Sequence, residues 1–228
     1  WSTIERFGNN KMWDGFGPLL KDLRGMYRDM SAEALEKEFE GLVNKARAAN
    51  RPTLVSRLAK EMLSWRDMTN AERAAELDRR FDASILDAEA LAFMGNAYIR
   101  AGEIDRGREL LELLLKEFPR SKYVDVAYAR KAEALLQEKK NAEALAAAEM
   151  AIEKATETTV MMEAVFTKAQ ALKALGKYQE AIEEFNMVLA SRAAPRPLKP
   201  RAMLEAAACF EAMGDFNKAI PYYQRIYV

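Results

Sequence analysis

The sequence predicts an all-α fold, a solenoid of antiparallel helix hairpins stacked into a superhelix. Three observations predict it. GKYQEAI at 176–182 is followed by GDFNKAI at 214–220, so one Gly-x-aromatic-x-x-Ala-Ile pattern is written twice. Two further stretches align with it at a near-constant period. Within each copy the apolar residues recur at helical spacing, and no strand pattern is readable.

A fixed period of this length is the mark of a repeat architecture. The aligned positions are Gly102, Ile104, Gly107 and Leu111; Gly176, Tyr178, Ala181 and Phe185; Gly214, Phe216, Ala219 and Tyr223. A degenerate copy supplies Lys139, Asn141, Ala144 and Ala148. Successive openings lie 37, 37 and 38 residues apart, from 102 to 139 to 176 to 214.

Each copy divides into two helices. AEALAFMGNAYIRA places Leu91, Met94, Tyr98 and Ala101 on one face. Gly102 follows, where a helix end accommodates positive φ. The second helix runs through Leu110, Leu111, Leu114, Leu115 and Phe118 until Pro119 stops it, with Ser121 placed to cap the next. The small residue at 107, 144, 181 or 219 lets two helices approach closely. Such a hairpin cannot bury its apolar face alone, so the units stack.

On Leu91, Gly95, Tyr98, Gly102, Gly107, Leu111, Leu114 and Pro119, then Tyr178, Ala181, Phe185 and Val188, then Phe216, Ala219, Tyr223 and Ile226, the chain resembles the tetratricopeptide repeat family. The resemblance covers roughly 86–228 and implies a right-handed superhelix. The expected units are 88–124, 125–161, 162–199 and a truncated 200–228. They run slightly longer than the family's usual period of about 34. FPRSKY before a new helix also looks like bacterial envelope proteins with these repeats, of the outer-membrane assembly lipoprotein and Tol-Pal-associated kinds. That narrower resemblance places an envelope or periplasmic setting ahead of the cytoplasm.

Residues 1–85 read as divergent helical hairpins stacked on the array. The expected helices are 17–30, 31–50, 51–68 and 69–81, about ten in the whole chain. Ser31 begins a stripe of Leu35, Phe39 and Leu42; Pro52 suits a first turn; Thr69 or Asn70 caps the fourth helix. WSTIERFGNNKMWDGFG reads as a helix end and a loop over the solenoid's edge. The opening on Trp1, and the end at Val228 with no polar capping helix, read as a piece of a longer protein or an end that something covers.

Composition narrows the chemistry. There is no histidine, and Cys209 is the only cysteine. Ser-His-Asp and Cys-His catalysis, His/Cys zinc sites and an internal disulfide are therefore out of reach. Lys+Arg and Asp+Glu are both 35, without the basic excess of a phosphate binder. No run of about 18 apolar residues spans a membrane. The expectation is no catalytic residue, no cofactor, no metal and no nucleic acid.

Other features have plain readings. The carboxylates of EKEFE (36–40) and EAIEE (180–184) form solvated helix faces. GFGP (15–18) is a turn, and Cys209 is a buried structural thiol. The methionines fill core gaps, with Met161 and Met162 the pair to inspect for exposure. SRAAPRPLKPR (191–201) is an inter-repeat loop, with Pro200 beginning the next helix, ahead of the alternative that it is itself an extended ligand.

In the resembled family the first helix of each hairpin lines the concave face. The matching positions are Asn96 and Arg100; Arg130, Glu133 and Gln137; Phe166, Gln170 and Lys173; and Glu205 and Glu211. Mixed charge with one aromatic suits a protein or peptide partner. Glu133 stands where a carboxylate clamp needs company for Asn96, so no such clamp is expected. The leading expectation is a non-catalytic interaction scaffold. The alternative is the regulatory or oligomerisation arm of a larger enzyme or sensor. Self-association through the open C-terminal end is a third.

Overall fold

The computed structural model describes residues 32–48, 51–64 and 68–226. The expected helix at 17–30, the Trp1–Phe16 region and GFGP lie outside them. Eleven α-helices occur among the described residues. The chain forms two compact units, divided between Met68 and Thr69.

In the first unit α1 (Ala32–Ala48) packs against α2 (Pro52–Ser64). Leu42, Val43 and Ala46 are buried on one helix and Val55, Leu58, Ala59 and Leu63 on the other. Pro52 is the first residue of α2, where its missing N–H costs nothing. Leu42 of the expected stripe is buried; the side chains of Leu35 and Phe39 lie outside the described set.

The second unit begins with α3 (Asn70–Arg80). Thr69 closes a capping box: its hydroxyl accepts from the Glu72 N–H at 3.2 Å, and Glu72 accepts from the Thr69 N–H at 2.7 Å. A single 3₁₀ turn (Ala83–Ile85) leads to four hairpins. These are α4 (Ala88–Ala101) with α5 (Ile104–Glu117), α6 (Val124–Gln137) with α7 (Asn141–Lys154), α8 (Thr158–Ala174) with α9 (Tyr178–Ala190), and α10 (Leu198–Ala212) with α11 (Phe216–Ile226). Within this unit each helix packs on its neighbours in sequence.

Each hairpin turns the same way. The N–H groups of Glu103, Lys140, Lys177 and Asp215 reach back to the carbonyls of Tyr98, Leu135, Leu172 and Phe210, all at 2.9 Å. These bonds satisfy carbonyls that a helix end would otherwise leave open. The geometry requires a left-handed residue at the turn. Gly102, Gly176 and Gly214 supply it with φ of 89°, 78° and 80°. In the degenerate copy Lys139 occupies the same place at φ 61°.

The helices of the first hairpin touch backbone to backbone. A Cβ on Gly107 would lie 2.6 Å from Ile99 Cγ1 and 2.9 Å from the Gly95 carbonyl oxygen. A Cβ on Gly95 would lie 2.6 Å from Leu111 Cδ2. One period on, the matching pairs are Ala132 with Ala144, Ala169 with Ala181 and Ala207 with Ala219, all buried.

Two local details differ from expectation. Ser121 does not cap α6; its hydroxyl accepts from the Tyr123 N–H at 3.3 Å and closes the turn before the helix. Pro200 does not open α10 but sits third in it, still within the turn whose N–H groups lack helical partners. Met162 is buried and Met161 half-buried against the same core, so neither forms an exposed patch.

Left-handed backbone costs a residue with a Cβ about 1 kcal/mol or more. Lys139→Gly is therefore predicted to raise unfolding stability by about 0.5–1 kcal/mol. Urea unfolding followed by circular dichroism measures it.

Candidate partner-binding surface

The first helices of successive hairpins pack side by side: α4 on α6, α6 on α8, and α8 on α10. Among the described residues the second helices α5, α7, α9 and α11 make no comparable contacts with each other. A stack that is tight along one set of helices and splayed along the other must curve. The first helices therefore line its concave side.

The repeat period sets the residues on that side in rows. Asn96, Glu133 and Gln170 are equivalent positions, as are Arg100 and Gln137, and Lys173 and Glu211. Arg100, Gln137 and Glu211 are exposed; Asn96, Glu133 and Gln170 are half-buried. Phe166 is only 3 % exposed. Its ring meets Phe185 edge-on at 5.5 Å, and the Arg201 guanidinium covers it at 4.8 Å. Phe166 is thus the floor of this surface, with Arg201 above it.

The charges bridge one repeat to the next. Arg130 on α6 binds Glu133 at 2.5 Å and reaches Glu163 on α8. Lys173 on α8 binds Glu205 on α10 at 2.6 Å. Two polar atoms on these helices, Asn96 Oδ1 and Arg130 Nε, are buried without a hydrogen-bond partner. Cys209 lies beneath this surface. Burial, with Glu205 adding to it and Lys173 opposing, pushes its thiol up to about 11. It is protonated and unreactive at neutral pH.

Sequence reasoning missed the polar ties that hold the stack. Asp125 on α6 is 3 % exposed and accepts from the Thr156 N–H at 3.0 Å and hydroxyl at 2.9 Å, pinning the loop before α8. Asp78 on α3 accepts from Arg106 Nε at 2.8 Å and the Tyr98 hydroxyl at 3.1 Å, tying α3 to the first hairpin. The Arg106 hydrogen bonds hold the Asp78 carboxyl below its ordinary value. Burial first, then Asp78, pushes the Tyr98 phenol up to about 12. Glu163 had a usable signal: it lies one helical turn before Thr167, the residue one period after Arg130.

Residues 94–157 and 166–228 match the tetratricopeptide repeat model, more than half of the chain. The chain belongs to the tetratricopeptide repeat family. Solved structures agree in fold. A MamA structure labelled MSR-1 superposes with a TM-score of 0.54 at 22% identity, over 84% of this chain and 94% of that one. MamA 41-end from Desulfovibrio magneticus RS-1 gives 0.53 at 18% identity, over 84% and 93%. No curated protein matches the chain in sequence. The repeats build the right-handed superhelical architecture of a protein-interaction scaffold, an architecture typical of non-catalytic proteins. Among the described residues no helix is long and apolar enough to cross a membrane, and no acidic or Cys cluster suits a metal ion.

Acid is predicted to weaken α3 and its tie to the first hairpin. Arg79, then Arg80, holds the Glu76 carboxyl down to about 2 from an ordinary 4.5, and Arg106 depresses Asp78. Depressed carboxyls add stability that is complete above their unfolded values and is lost as pH falls through the folded ones. Stability is predicted to decline from about pH 4.5 toward pH 2, with a shallower decline in Asp78→Asn. Thermal melts across that range measure both slopes.

Proposed function

We propose that the concave face of α4, α6, α8 and α10 holds a segment of a partner protein, and that the chain performs no catalysis of its own. The observation that carries this reading is the curvature, which gathers the polar rows of the first helices onto one surface. Arg100, Gln137 and Gln170 make direct contacts, and Asn96 lies in the same row as Gln170. Arg130, Glu133, Glu163, Lys173, Glu205 and Phe166 shape the surface, because their side chains are engaged with one another or with the core. Glu211 lies at its far end. The resemblance of FPRSKY to envelope proteins makes an envelope or secreted protein the first partner class to test.

A second reading, self-association, has its own observation. Leu204 and Ile220 are 52 % and 49 % exposed, whereas Phe166 and Ile182, one repeat earlier, are each 3 % exposed beneath the next hairpin. The α10–α11 face therefore has the apolar character of an internal hairpin interface.

One experiment separates these readings. A photoreactive side chain is placed in turn at Arg100, Gln137 and Gln170, at Glu149 and Gln179 on second helices, and at Ile220. The concave reading predicts partner cross-links from the first three positions and few from Glu149 or Gln179. Equal yields from first and second helices would contradict it. Copy-to-copy cross-links from Ile220 support self-association.

A further inference from the structure

The segment 191–201 is the inter-repeat loop, yet three of its four charges have no acidic counterpart among the described residues. Arg192, Arg196, Lys199 and Arg201 fall within it, and among the described residues none forms an ion pair, whereas Arg130, Lys168 and Lys173 nearby are all paired. No Asp or Glu occurs between Glu184 and Glu205. Both flanking acids are already engaged, Glu184 with Lys168 and Glu205 with Lys173, each at 2.6 Å. The local acids are thus used elsewhere: Arg201 lies over Phe166, and Arg192, Arg196 and Lys199 have no acidic partner among the described residues.

The loop is also built to hold still. Ala194 and Leu198 are buried in the core of the last two hairpins. The Leu198 N–H donates to the Pro195 carbonyl at 2.9 Å, and the Ala193 N–H to the Ser191 hydroxyl at 3.2 Å. Pro195, Pro197 and Pro200 fix φ along it. A backbone ordered in advance loses little entropy when its side chains are bound. The charges sit against local preference as well. α10 has no acidic residue in its first turn and carries Lys199 and Arg201 there, although a helix start favours anions. A sequence that breaks a local rule without compensation in the fold points to a role outside it.

We propose that this loop and the first turn of α10 form a second docking surface, one that takes an acidic, extended segment of a protein partner. Guanidinium groups bind carboxylates in pairs, and Arg192 and Arg196 on one rigid loop, with Lys199 beside them, suit several consecutive side chains. A carboxylate ladder fits better than a nucleic acid, since the loop offers no aromatic side chain for base stacking. It also fits better than a lipid surface. Three such cations without an exposed large apolar residue in the loop give only one of the two anchoring signals that stable membrane attachment needs.

The test measures fluorescence anisotropy of a labelled peptide of about a dozen residues, mostly Glu and Asp, titrated with the 228-residue chain. The comparison protein carries Arg192→Glu, Arg196→Glu and Lys199→Glu. Arg201 is kept because it covers Phe166. Arg120→Glu with Lys122→Glu, on the equivalent loop two repeats earlier, serves as the control, and circular dichroism confirms that all three fold. Saturable binding by the wild type and the control, weakened about tenfold or more in the triple variant and by added salt, is the expected result. Absence of binding, or equal binding by the triple variant, overturns the proposal. So does loop-dependent binding to phosphatidylserine vesicles with none to the peptide.

Discussion

In each hairpin two small buried residues stand twelve positions apart, and in the first hairpin they meet where the helices cross. They are Gly95 and Gly107 in the first unit, where even one added Cβ would collide with a backbone oxygen or a packed side chain. The later units use alanine at both places, and all six alanines are buried. This close approach makes the unit compact enough to stack. It also places the next hairpin's first helix against the last one. The left-handed turn then has one job, to return the chain at the distance the crossing sets, and the same reach-back hydrogen bond recurs at all four turns.

The rest of the second unit follows from that spacing. First helices touch each other while second helices spread, so the stack curves and collects the first-helix side chains on its inner side. Apolar filling varies along the stack: α5 buries Leu110, Leu111 and Leu114, α9 buries Ile182, Phe185 and Val188, and α7 buries only alanines. Where apolar filling thins, polar ties appear. Asp125 clasps the loop at Thr156, and Arg130 reaches across to Glu163. The inner surface therefore has a paired, pre-arranged set of charges beside a smaller set of open polar groups. Binding at such a surface draws on the open groups, because separating a half-buried pair costs more than it returns.

The hairpins were legible because their determinants repeat. Gly102, Gly176 and Gly214 report the turn, and the small residue five positions later reports the crossing. Even the degenerate copy could be placed by period alone, and Lys139 adopts the glycine conformation its position demands. The surface was less legible. Family position indicated which residues face inward but not what they touch. Phe166 reads as an exposed aromatic until Arg201, 35 residues on, is seen lying over it. Arg130 and Lys173 read as free charges until Glu163 and Glu205 are seen to hold them. Contacts between units depend on the stacking offset, which a linear pattern does not carry. The capping box at Thr69 needs only residues 69–72, so it was within reach of sequence.

The central claim is that the small-residue crossings set the spacing of the whole stack. The most direct measurement is a urea-unfolding series of Ala132→Leu, Ala169→Leu and Ala207→Leu beside Ala142→Leu and Ala146→Leu, whose sites are exposed on a second helix. Leucine helps a helix nearly as much as alanine does, so propensity leaves all five almost unchanged. The account predicts that each crossing variant loses about 1–3 kcal/mol from overpacking, while the two controls stay within about 0.5 kcal/mol of wild type. Crossing variants as stable as the controls would show that the hairpins tolerate wider spacing, and would contradict it.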